Sequence, residues 1–396
     1  MFLPVPPALQ APAPRPAQQA ADFDEAFAFL QATYAWGDRV EWELLKAEFR
    51  PKALAAHDDR AFHRVLEDLL DQLADAHTHR GSNLADSWRL PPYDVAAEWR
   101  DEHAVITAVL PGSLAEQAGL RAGMKVLGVG GKPLKEALER RRPTFLKGLE
   151  DEDLHWMLNS LLAGKRGEAR VLKVQGASGG VREVTVPEGP AAAWPEPETR
   201  LLPGDIGLIA FTDFGSEAAV KRMDDALERF PQARAWILDV RYNSGGDTAF
   251  MKPVAARFFS RRARFAMMRK REGNRLGAPW EEFLMPRGKA FEGPVSVLVS
   301  PWTMSVAEGL ALAFQGTLRG MAVGTRMAGL GAAVQSLTLK HSGLRVQVSA
   351  EPVYDLFLRP RSALRPKVPV DLATAKGSDP ILDAAVAWLT PQLGKR

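Results

Sequence analysis

The spacing of apolar residues predicts helices in the first quarter of the chain. In DFDEAFAFLQATYAW, Phe23, Phe27 and Leu30 recur at the spacing of one helix face, with Asp22 as the expected N-cap. The segments VEWELLKAEF and DRAFHRVLEDLLDQLADAH repeat this period, which stops at LADAHTHRGSN, where a glycine marks a turn. Residues 22–88 are therefore predicted to form a small helical unit.

The segment before this unit has a different composition. Six of the first sixteen residues are proline, which favours extended polyproline conformations. Residues 1–21 are therefore predicted to be a proline-rich tether. This segment lacks a basic n-region and a clean apolar h-region, so no complete signal peptide is visible.

Polar and apolar residues alternate after residue 89. HAVITAVL predicts a strand, which is followed by a break at Pro111-Gly112, a short helix in SLAEQAGL and a second strand in KVLGVGGKPL. A helix over residues 153–164 and closing strands in EARVLKVQG and VREVTVPEG complete the pattern. We expect a β-rich domain over residues 89–190.

In the last two hundred residues, strands that are apolar throughout alternate with helices. The strands are predicted in IGLIAF, AWILDV, GPVSVLVS and GMAVG. This pattern is typical of a mostly parallel sheet covered on both faces, here over residues 191–396. Ligands of such sheets bind beyond the carboxyl ends of the strands. Both the Gly245-Gly246 turn and Ser305 follow directly after a predicted strand.

The composition is that of an ordinary globular protein, with 46% hydrophobic and 25% charged residues. The net charge is only +3 and the signs are interspersed, so no nucleic-acid partner is expected. No apolar run reaches about 18 residues, so no membrane span is expected either. The absence of cysteine excludes disulfides, thiolate catalysis and cysteine-ligated zinc.

Ser305 lies where the strand GPVSVLVS turns into the helix SVAEGLALAFQ, and two roles are open to it. Its oxygen would cap the N–H of Glu308 in an S-x-x-E capping box, or it would act as a nucleophile. In the second case the helix N-terminus and the N–H of Val306 would stabilise an oxyanion. The N–H of Gly246 or Gly245 would be the other donor, unless the two glycines form only a tight turn.

A nucleophilic serine needs a base, and two of the seven histidines stand out. His77 and His79 lie in the D-A-H-T-H segment that ends the helical unit. A plain loop position is the alternative for both. A His-x-His pair would also suit a metal, but the spacing indicates no third ligand, so neither a metal nor another cofactor is expected.

Several motifs, in order, resemble the carboxy-terminal processing (tail-specific) serine proteases. LADAHT, WILDVRYNSGGD and TMSVAE match successive signatures of that family, and P-x-S-x-A-x-x-A-G-L-x-x-G at residues 111–123 resembles a PDZ domain. The resemblance spans about residues 23–385 and is to the tricorn-like and retinoid-binding-protein-like branch. It implies an α/β multidomain fold, with an N-terminal helical unit, a PDZ-like β-rich domain and a mostly parallel, crotonase-like ββα core.

The resemblance also implies which residues act. Ser305 takes the position of the family nucleophile, and His77 takes that of the tricorn-type histidine. The processing proteases proper have a catalytic lysine where this chain has Leu330, so a serine–lysine pair is excluded. The late acidic motif is replaced by RPRSALRPKVPV, which leaves Asp75 or a late carboxylate, Glu351 or Asp355, to orient His77.

We therefore expect a serine endopeptidase that acts on unfolded or C-terminal polypeptide segments, delivered by the PDZ-like domain. Ser305 would attack the peptide carbonyl, and His77 would act as general base and then as general acid. Two alternatives remain: an inactive peptide-binding scaffold, and an apolar-ligand carrier of the retinoid-binding type. The resemblance implies a periplasmic or secreted protein, and the sequence does not indicate its oligomeric state.

Overall fold

The computed structural model describes residues 16–81 and 83–394. In this part of the chain, ten α-helices and eighteen strands form a helical unit, a β-rich unit and an α/β core. The helical unit contains α1 (Pro16–Thr33), α2 (Trp42–Leu54) and α3 (Asp59–Asp71). The predicted apolar faces are buried in it, including those of α1 and α3.

Helix α1 begins earlier than the sequence predicts. Residues 16–21, expected to belong to the tether, form its first turns, because proline is tolerated at the start of a helix. The expected N-cap, Asp22, lies inside α1, where its carboxylate accepts the N–H groups of His341 (2.9 Å) and Ser342 (2.7 Å). The rest of the predicted tether, residues 1–15, lies outside the described residues.

The β-rich unit is an antiparallel sheet of six short strands with three helices. Its elements are β1 (Val95–Arg100), β2 (His103–Val109), α4 (Leu114–Gln117), β3 (Lys125–Val129), β4 (Lys132–Pro133), α5 (Leu134–Glu139), α6 (Asp151–Ala163), β5 (Arg170–Gln175) and β6 (Val181–Val186). The strand order is β1-β2-β3-β5-β6, with β4 paired to β3 alone. Strand β1 is therefore an edge strand, and α6 packs beside it.

The core is built around a second six-stranded sheet, ordered β18-β15-β14-β9-β8-β7. Its strands are β7 (Thr199–Leu202), β8 (Ile206–Ala210), β9 (Ala235–Asp239), β14 (Val295–Val299), β15 (Met321–Gly324) and β18 (Val368–Pro369). All neighbours are parallel except the edge pair β7–β8, so the expected mostly parallel sheet is present. Its helices are α7 (Glu217–Arg229), α8 (Thr248–Ala256), α9 (Val306–Gly316) and α10 (Pro380–Leu393).

A four-stranded antiparallel sheet, ordered β13-β10-β17-β16, was not predicted from the sequence. It contains β10 (Ala263–Met268), β13 (Trp280–Leu284), β16 (Ala332–Thr338) and β17 (Arg345–Tyr354), and a small hairpin of β11 (Arg271–Glu272) and β12 (Arg275–Leu276) lies between β10 and β13. Apolar residues of β17, Val346 and Val348, share one cluster with Phe27 of α1 and Leu66 of α3. The helical unit therefore completes its core with strands from the far end of the chain.

Helix α9 is buried on every side, because it lies between the core sheet and its neighbours α8 and β10. This environment explains its unbroken run of alanine, leucine and phenylalanine. Its burial fixes the N-terminus of α9, and with it the position of Ser305. Among residues 16–81 and 83–394, no helix has both the length and the hydropathy needed to cross a membrane.

Candidate active site

Ser305 connects β14 to α9 at a strained corner. Its φ is +53° and its ψ is −115°, and such conformations cost residues other than glycine about 1–3 kcal/mol. Ser305 is the N-cap of α9 and forms a capping box with Glu308, whose Oε2 accepts the Ser305 N–H over 2.8 Å. The predicted cap is present, and the backbone strain is a second feature that a cap alone does not require.

The Gly245-Gly246 turn lies directly against Ser305. A Cβ atom placed on Gly245 would be 2.8 Å from the Cβ of Ser305 and 3.4 Å from its Oγ. The φ angles of Gly245 and Gly246 are +96° and +135°, which disfavour any residue with a side chain. The predicted meeting of two loops at one edge of the sheet is therefore present, and it depends on glycine.

The two glycines differ in their N–H groups. The Gly245 N–H donates to Asn243 Oδ1 over 2.9 Å, whereas the Gly246 N–H has no acceptor within the described residues. Val306 is the first residue of α9, so its N–H has no intrahelical acceptor. Among the described residues, the N–H groups of Gly246 and Val306 thus have no acceptor, whereas that of Gly245 does, so Gly245 contributes by lacking a side chain.

Asn243 organises this turn, and sequence reasoning did not single it out. It is fully buried; its Nδ2 donates to the Phe211 carbonyl over 3.0 Å, and its own carbonyl accepts the Met304 N–H over 3.0 Å. One residue therefore joins the loops after β8, β9 and β14. The signal was the asparagine of the N-x-G-G stretch, which is equally typical of an ordinary turn.

His77 lies in the turn after α3 and is only 8% exposed. Its Nδ1 is 3.0 Å from the Ala332 carbonyl oxygen, which requires the proton on Nδ1 and leaves Nε2 as the acceptor. Burial, together with the nearby charge of Arg361, lowers the pKa of His77 to about 3. The ring is therefore neutral at physiological pH, as a general base must be before it accepts a proton.

Within the described part of the chain, none of the carboxylates expected to orient His77 makes a hydrogen bond with its ring, and Asp355 pairs with Arg359 instead. Asp75 Oδ1 accepts the backbone N–H of His77 over 2.9 Å, and Oδ2 accepts the Thr78 hydroxyl over 2.6 Å. Glu351, on β17, accepts the side-chain amide of Gln335 over 3.5 Å. The expectation is corrected in this respect: the group at the imidazole is a backbone carbonyl, because β16 begins at Ala332 beside His77.

His79 has a structural role. Its Nδ1 accepts the Gly81 N–H over 2.8 Å, and its backbone forms a bridge to Gln347 of β17. Burial lowers the pKa of His79 to about 4. Both its ring and its backbone therefore hold the turn against the second sheet, away from any catalytic role.

Glu308 was predicted only as a capping residue, but its carboxylate also binds the loop before β16. It is fully buried, and its carboxylate accepts three backbone N–H groups, from Ser305 (2.8 Å), Gly329 (2.8 Å) and Leu330 (3.1 Å). Burial raises the pKa of Glu308 to about 7, although Arg361 and the three N–H donors oppose that shift. Glu308 therefore ties the nucleophile corner to the loop that precedes β16.

A cavity of about 220 Å³ lies beside this loop, between the helical unit, the β-rich unit and the core. Gly329, Leu330 and Gly331 form one wall. The other walls include the aromatic side chains of Tyr34, Trp36 and Trp156 and the carboxylates of Asp75, Glu152 and Asp153. Within the described residues, the His77 ring and the Ser305 hydroxyl make no hydrogen bond with each other, and Glu308 and residues 329–332 connect them.

Comparison with known proteins classifies the core. The sequence profile of peptidase family S41 matches residues 205–358, which include Gly245, Gly246, Ser305 and Glu308. Over these residues the core is similar to peptidase family S41. The segment that carries His77 lies outside the match. Comparison of the sequence with curated proteins finds no match.

Several solved structures have a similar fold, and a C-terminal processing protease is among them. Mature CPAF is 15% identical, with 95% of this chain and 96% of that chain covered and a TM-score of 0.61. The photosystem II D1 C-terminal processing protease is 20% identical, with 94% and 97% covered and a TM-score of 0.55. A lipoprotein from Streptococcus agalactiae is 12% identical, with 98% and 99% covered and a TM-score of 0.52. The expected resemblance to C-terminal processing proteases is confirmed.

Proposed function

We propose that this protein is a serine endopeptidase in which Ser305 is the nucleophile and His77 the base. The observation that carries the proposal is the strained Ser305 corner packed against Gly245, with no hydrogen-bond acceptor among the described residues for the N–H groups of the adjoining residues Gly246 and Val306. A scaffold or a carrier of apolar ligands would gain nothing from this strain. An acyl-transfer site would, because the strain holds the hydroxyl beside its oxyanion donors.

In the proposed reaction, Ser305 Oγ attacks the peptide carbonyl carbon and gives its proton to His77 Nε2. The carbonyl oxygen becomes an oxyanion that accepts hydrogen bonds from Gly246 and Val306, worth about 3–4 kcal/mol for each donor. The C–N bond then breaks, and His77 protonates the departing amine. Water, deprotonated by His77, hydrolyses the acyl-serine and restores the enzyme. Substrate binding must bring Nε2 within hydrogen-bond reach of Oγ for these transfers.

The test is covalent labelling with a fluorophosphonate probe, combined with cleavage of casein as an unfolded substrate. Wild-type protein should be labelled and should cleave casein. Ser305→Ala should abolish both, and His77→Gln should slow labelling strongly. Ser342→Ala, a serine at the tip of the β16–β17 hairpin, is the matched control and should behave as wild type. Labelling that survives Ser305→Ala, or wild-type protein that neither labels nor cleaves, contradicts the proposal.

We propose further that the β-rich unit is PDZ-like and delivers extended or C-terminal polypeptide segments to this site. Its edge strand β1 is the element to which a peptide strand would add. Trp302, three residues before Ser305, packs on Ala96 of β1 and Ala108 of β2. Peptide binding at β1 could therefore shift the loop that carries Ser305. Asn159 of α6 occupies the peptide position now: Oδ1 accepts the Ala97 N–H over 2.9 Å and Nδ2 donates to the Ala97 carbonyl over 3.0 Å.

A peptide must therefore displace Asn159 to pair with β1. Asn159→Ala should strengthen the binding of a fluorescent extended peptide, measured by anisotropy, because one competitor for the Ala97 backbone is removed. Asn83→Ala, an asparagine in the turn before the β-rich unit, is the control. Unchanged or weaker peptide binding by Asn159→Ala would argue against strand addition at β1.

We also propose a periplasmic or secreted location, supported by the family resemblance and by a cysteine-free sequence that cannot form stray disulfides. Fractionation of the cells that make the protein, followed by immunoblotting, tests this. Recovery in the cytoplasmic fraction alone would contradict it.

A further inference from the structure

The loop over residues 329–332 is held on both sides by buried charged groups. On one side, the Glu308 carboxylate accepts the N–H groups of Gly329 and Leu330. On the other side, the Arg361 guanidinium donates to the carbonyl of Leu330 through Nε (3.0 Å) and Nη2, and to that of Ala332 through Nη2 (3.4 Å). The same Ala332 carbonyl accepts the Nδ1–H of His77.

Arg361 is only 5% exposed, and it interacts electrostatically with both Glu308 and His77. It begins the short 3₁₀ helix Arg361–Ala363, in the RPRSAL segment that replaces the acidic motif expected from the family. A buried guanidinium without a counter-charge would be costly, and Glu308 is the carboxylate that offsets it. Glu308 thus contacts the nucleophile corner at Ser305, and Arg361 contacts the Ala332 carbonyl that also binds His77.

We propose that Arg361 and Glu308 are positioning residues that together replace an orienting carboxylate at His77. Arg361 fixes the Ala332 carbonyl that selects the Nδ1–H tautomer. Glu308 fixes the backbone of Ser305 and the loop that carries that carbonyl. The base and the nucleophile are therefore aligned by one continuous set of contacts. This inference rests on the proposed peptidase function, because only that function requires the alignment.

The network makes the alignment sensitive to pH at Glu308. Only the ionised carboxylate can accept all three N–H groups fully, because a protonated one has a hydroxyl that competes as a donor. The groups that act on it are these three N–H donors and the guanidinium groups of Arg361 and Arg365, which stay protonated. Alignment is therefore expected to improve as Glu308 ionises near neutral pH, well above the range in which His77 itself takes up a proton.

Two measurements on the full-length protein test the proposal. The first is the rate constant for fluorophosphonate labelling from pH 5 to 9. The second is the ¹⁵N NMR signal of the His77 ring in histidine-labelled protein, assigned by its loss in His77→Gln. The variants are Glu308→Gln, Arg361→Met and the milder Arg361→Lys. Their matched controls are Glu281→Gln and Arg264→Met, whose parent side chains form an exposed ion pair with each other between β13 and β10.

We expect wild-type labelling to rise through an inflection near pH 7, and Glu308→Gln to lose that inflection and to be slower by about tenfold or more at pH 8.5. Arg361→Met should slow labelling by a similar factor and release the His77 ring into exchange between tautomers. Arg361→Lys should be intermediate, since it keeps the charge but loses the two-carbonyl contact. The controls should match wild type.

Variants that keep both the wild-type rate and the wild-type His77 signal overturn the proposal. If wild-type protein is not labelled at all, the proposed peptidase function is contradicted. The NMR signal of the His77 ring still tests whether Arg361 and Glu308 position that ring. A His77 tautomer that is unchanged in Arg361→Lys and Arg361→Met would then show that Arg361 does not position the ring.

Discussion

The nucleophile side and the base side of the candidate active site are built differently. Ser305 and the Gly245-Gly246 turn lie at the carboxyl ends of adjacent strands, β14 and β9, within the segment that matches family S41. His77 comes from the turn after α3, outside that match, and reaches the site by packing against β16 and β17. One side is fixed by the topology of a parallel sheet, and the other by contacts between distant parts of the chain.

This difference shows why the two sides tolerate change differently. On the nucleophile side, close packing of backbone segments sets the geometry, so a single methyl group at Gly245 would clash with Ser305. On the base side, a chain of hydrogen bonds through Ala332 and Arg361 holds the His77 ring. Substitutions in this chain should therefore lower the reaction rate in graded steps. We therefore expect steep, all-or-none effects at the first and graded effects at the second.

Among variants that keep both Ser305 and His77, the largest expected effect is that of Gly245→Ala. The added Cβ would lie 2.8 Å from the Cβ of Ser305, at a φ of +96°, so one of the two loops must shift. We expect the labelling rate to fall by about a hundredfold or more, since a displacement of this kind misaligns the attack. Gly343→Ala is the control, because its φ is also positive (+68°) but the space around it is open. Equal rates for both variants would contradict the close packing at Ser305.

An intermediate effect is expected on the pH dependence of stability, with opposite signs for the two sides. The pKa of Glu308 is raised to about 7, so its contribution to stability is lost as the pH rises from 4.5 to 7. The pKa of His77 is lowered to about 3, so its contribution is lost as the pH falls from 6.5 to 3. Each residue changes the free energy of unfolding by about 1.4 kcal/mol per pH unit, and the two slopes oppose each other between pH 5 and 6.

Urea denaturation at pH 5 and pH 6 measures these slopes. Glu308→Gln should make the unfolding free energy rise more steeply with pH than in wild type, and His77→Gln should do the reverse, each by about 1.4 kcal/mol over this interval. Slopes that shift in the same direction for both variants would show that burial does not shift the two pKa values in opposite directions.

The smallest expected effect is that of Asp75→Asn. If Asp75 oriented the His77 ring, loss of its charge would cost several orders of magnitude in rate, as in a Ser-His-Asp triad. Asp75 instead accepts the backbone N–H of His77 and the Thr78 hydroxyl, and the Asn carbonyl can still accept one of them. We expect labelling to slow by only about threefold, a loss comparable to that of one hydrogen bond. A loss of a thousandfold would restore Asp75 as the orienting carboxylate.

The sequence predicted the parallel core well, because buried strands and glycine turns leave local patterns. The helix after Ser305, the strand before it and the turn at Gly245-Gly246 all lie where the apolar periods put them. The second sheet left a weaker signal, since β13 and β16 have only one fully buried residue each and β10 joins β17 through long-range pairing. Because the second sheet was not predicted, the surface of β17 on which the helical unit packs could not be predicted either.

The same reason explains what was missed at the site. A motif identifies His77, but the partner of its ring is the carbonyl of Ala332, a group that every residue has and that no sequence pattern marks. Arg361 lay in a segment noted only for the acid it lacks. Glu308 was visible as a capping residue, but its other two contacts depend on how the loop before β16 folds back. Contacts of backbone atoms across distant loops are set by the fold.

The apolar cluster shared by α1–α3 and the β16–β17 hairpin bears on how the protein is made. Helices α1–α3 leave the ribosome first, but the apolar residues Val346 and Val348 that complete their core follow more than 250 residues later. At ordinary rates of synthesis this gap is roughly 15–50 s, during which the apolar faces of the helices lack these partners. His77 therefore gains its contacts with β16 and β17 only after Ser305 has been synthesised, so the proposed Ser305–His77 site cannot assemble before the nascent chain is nearly complete.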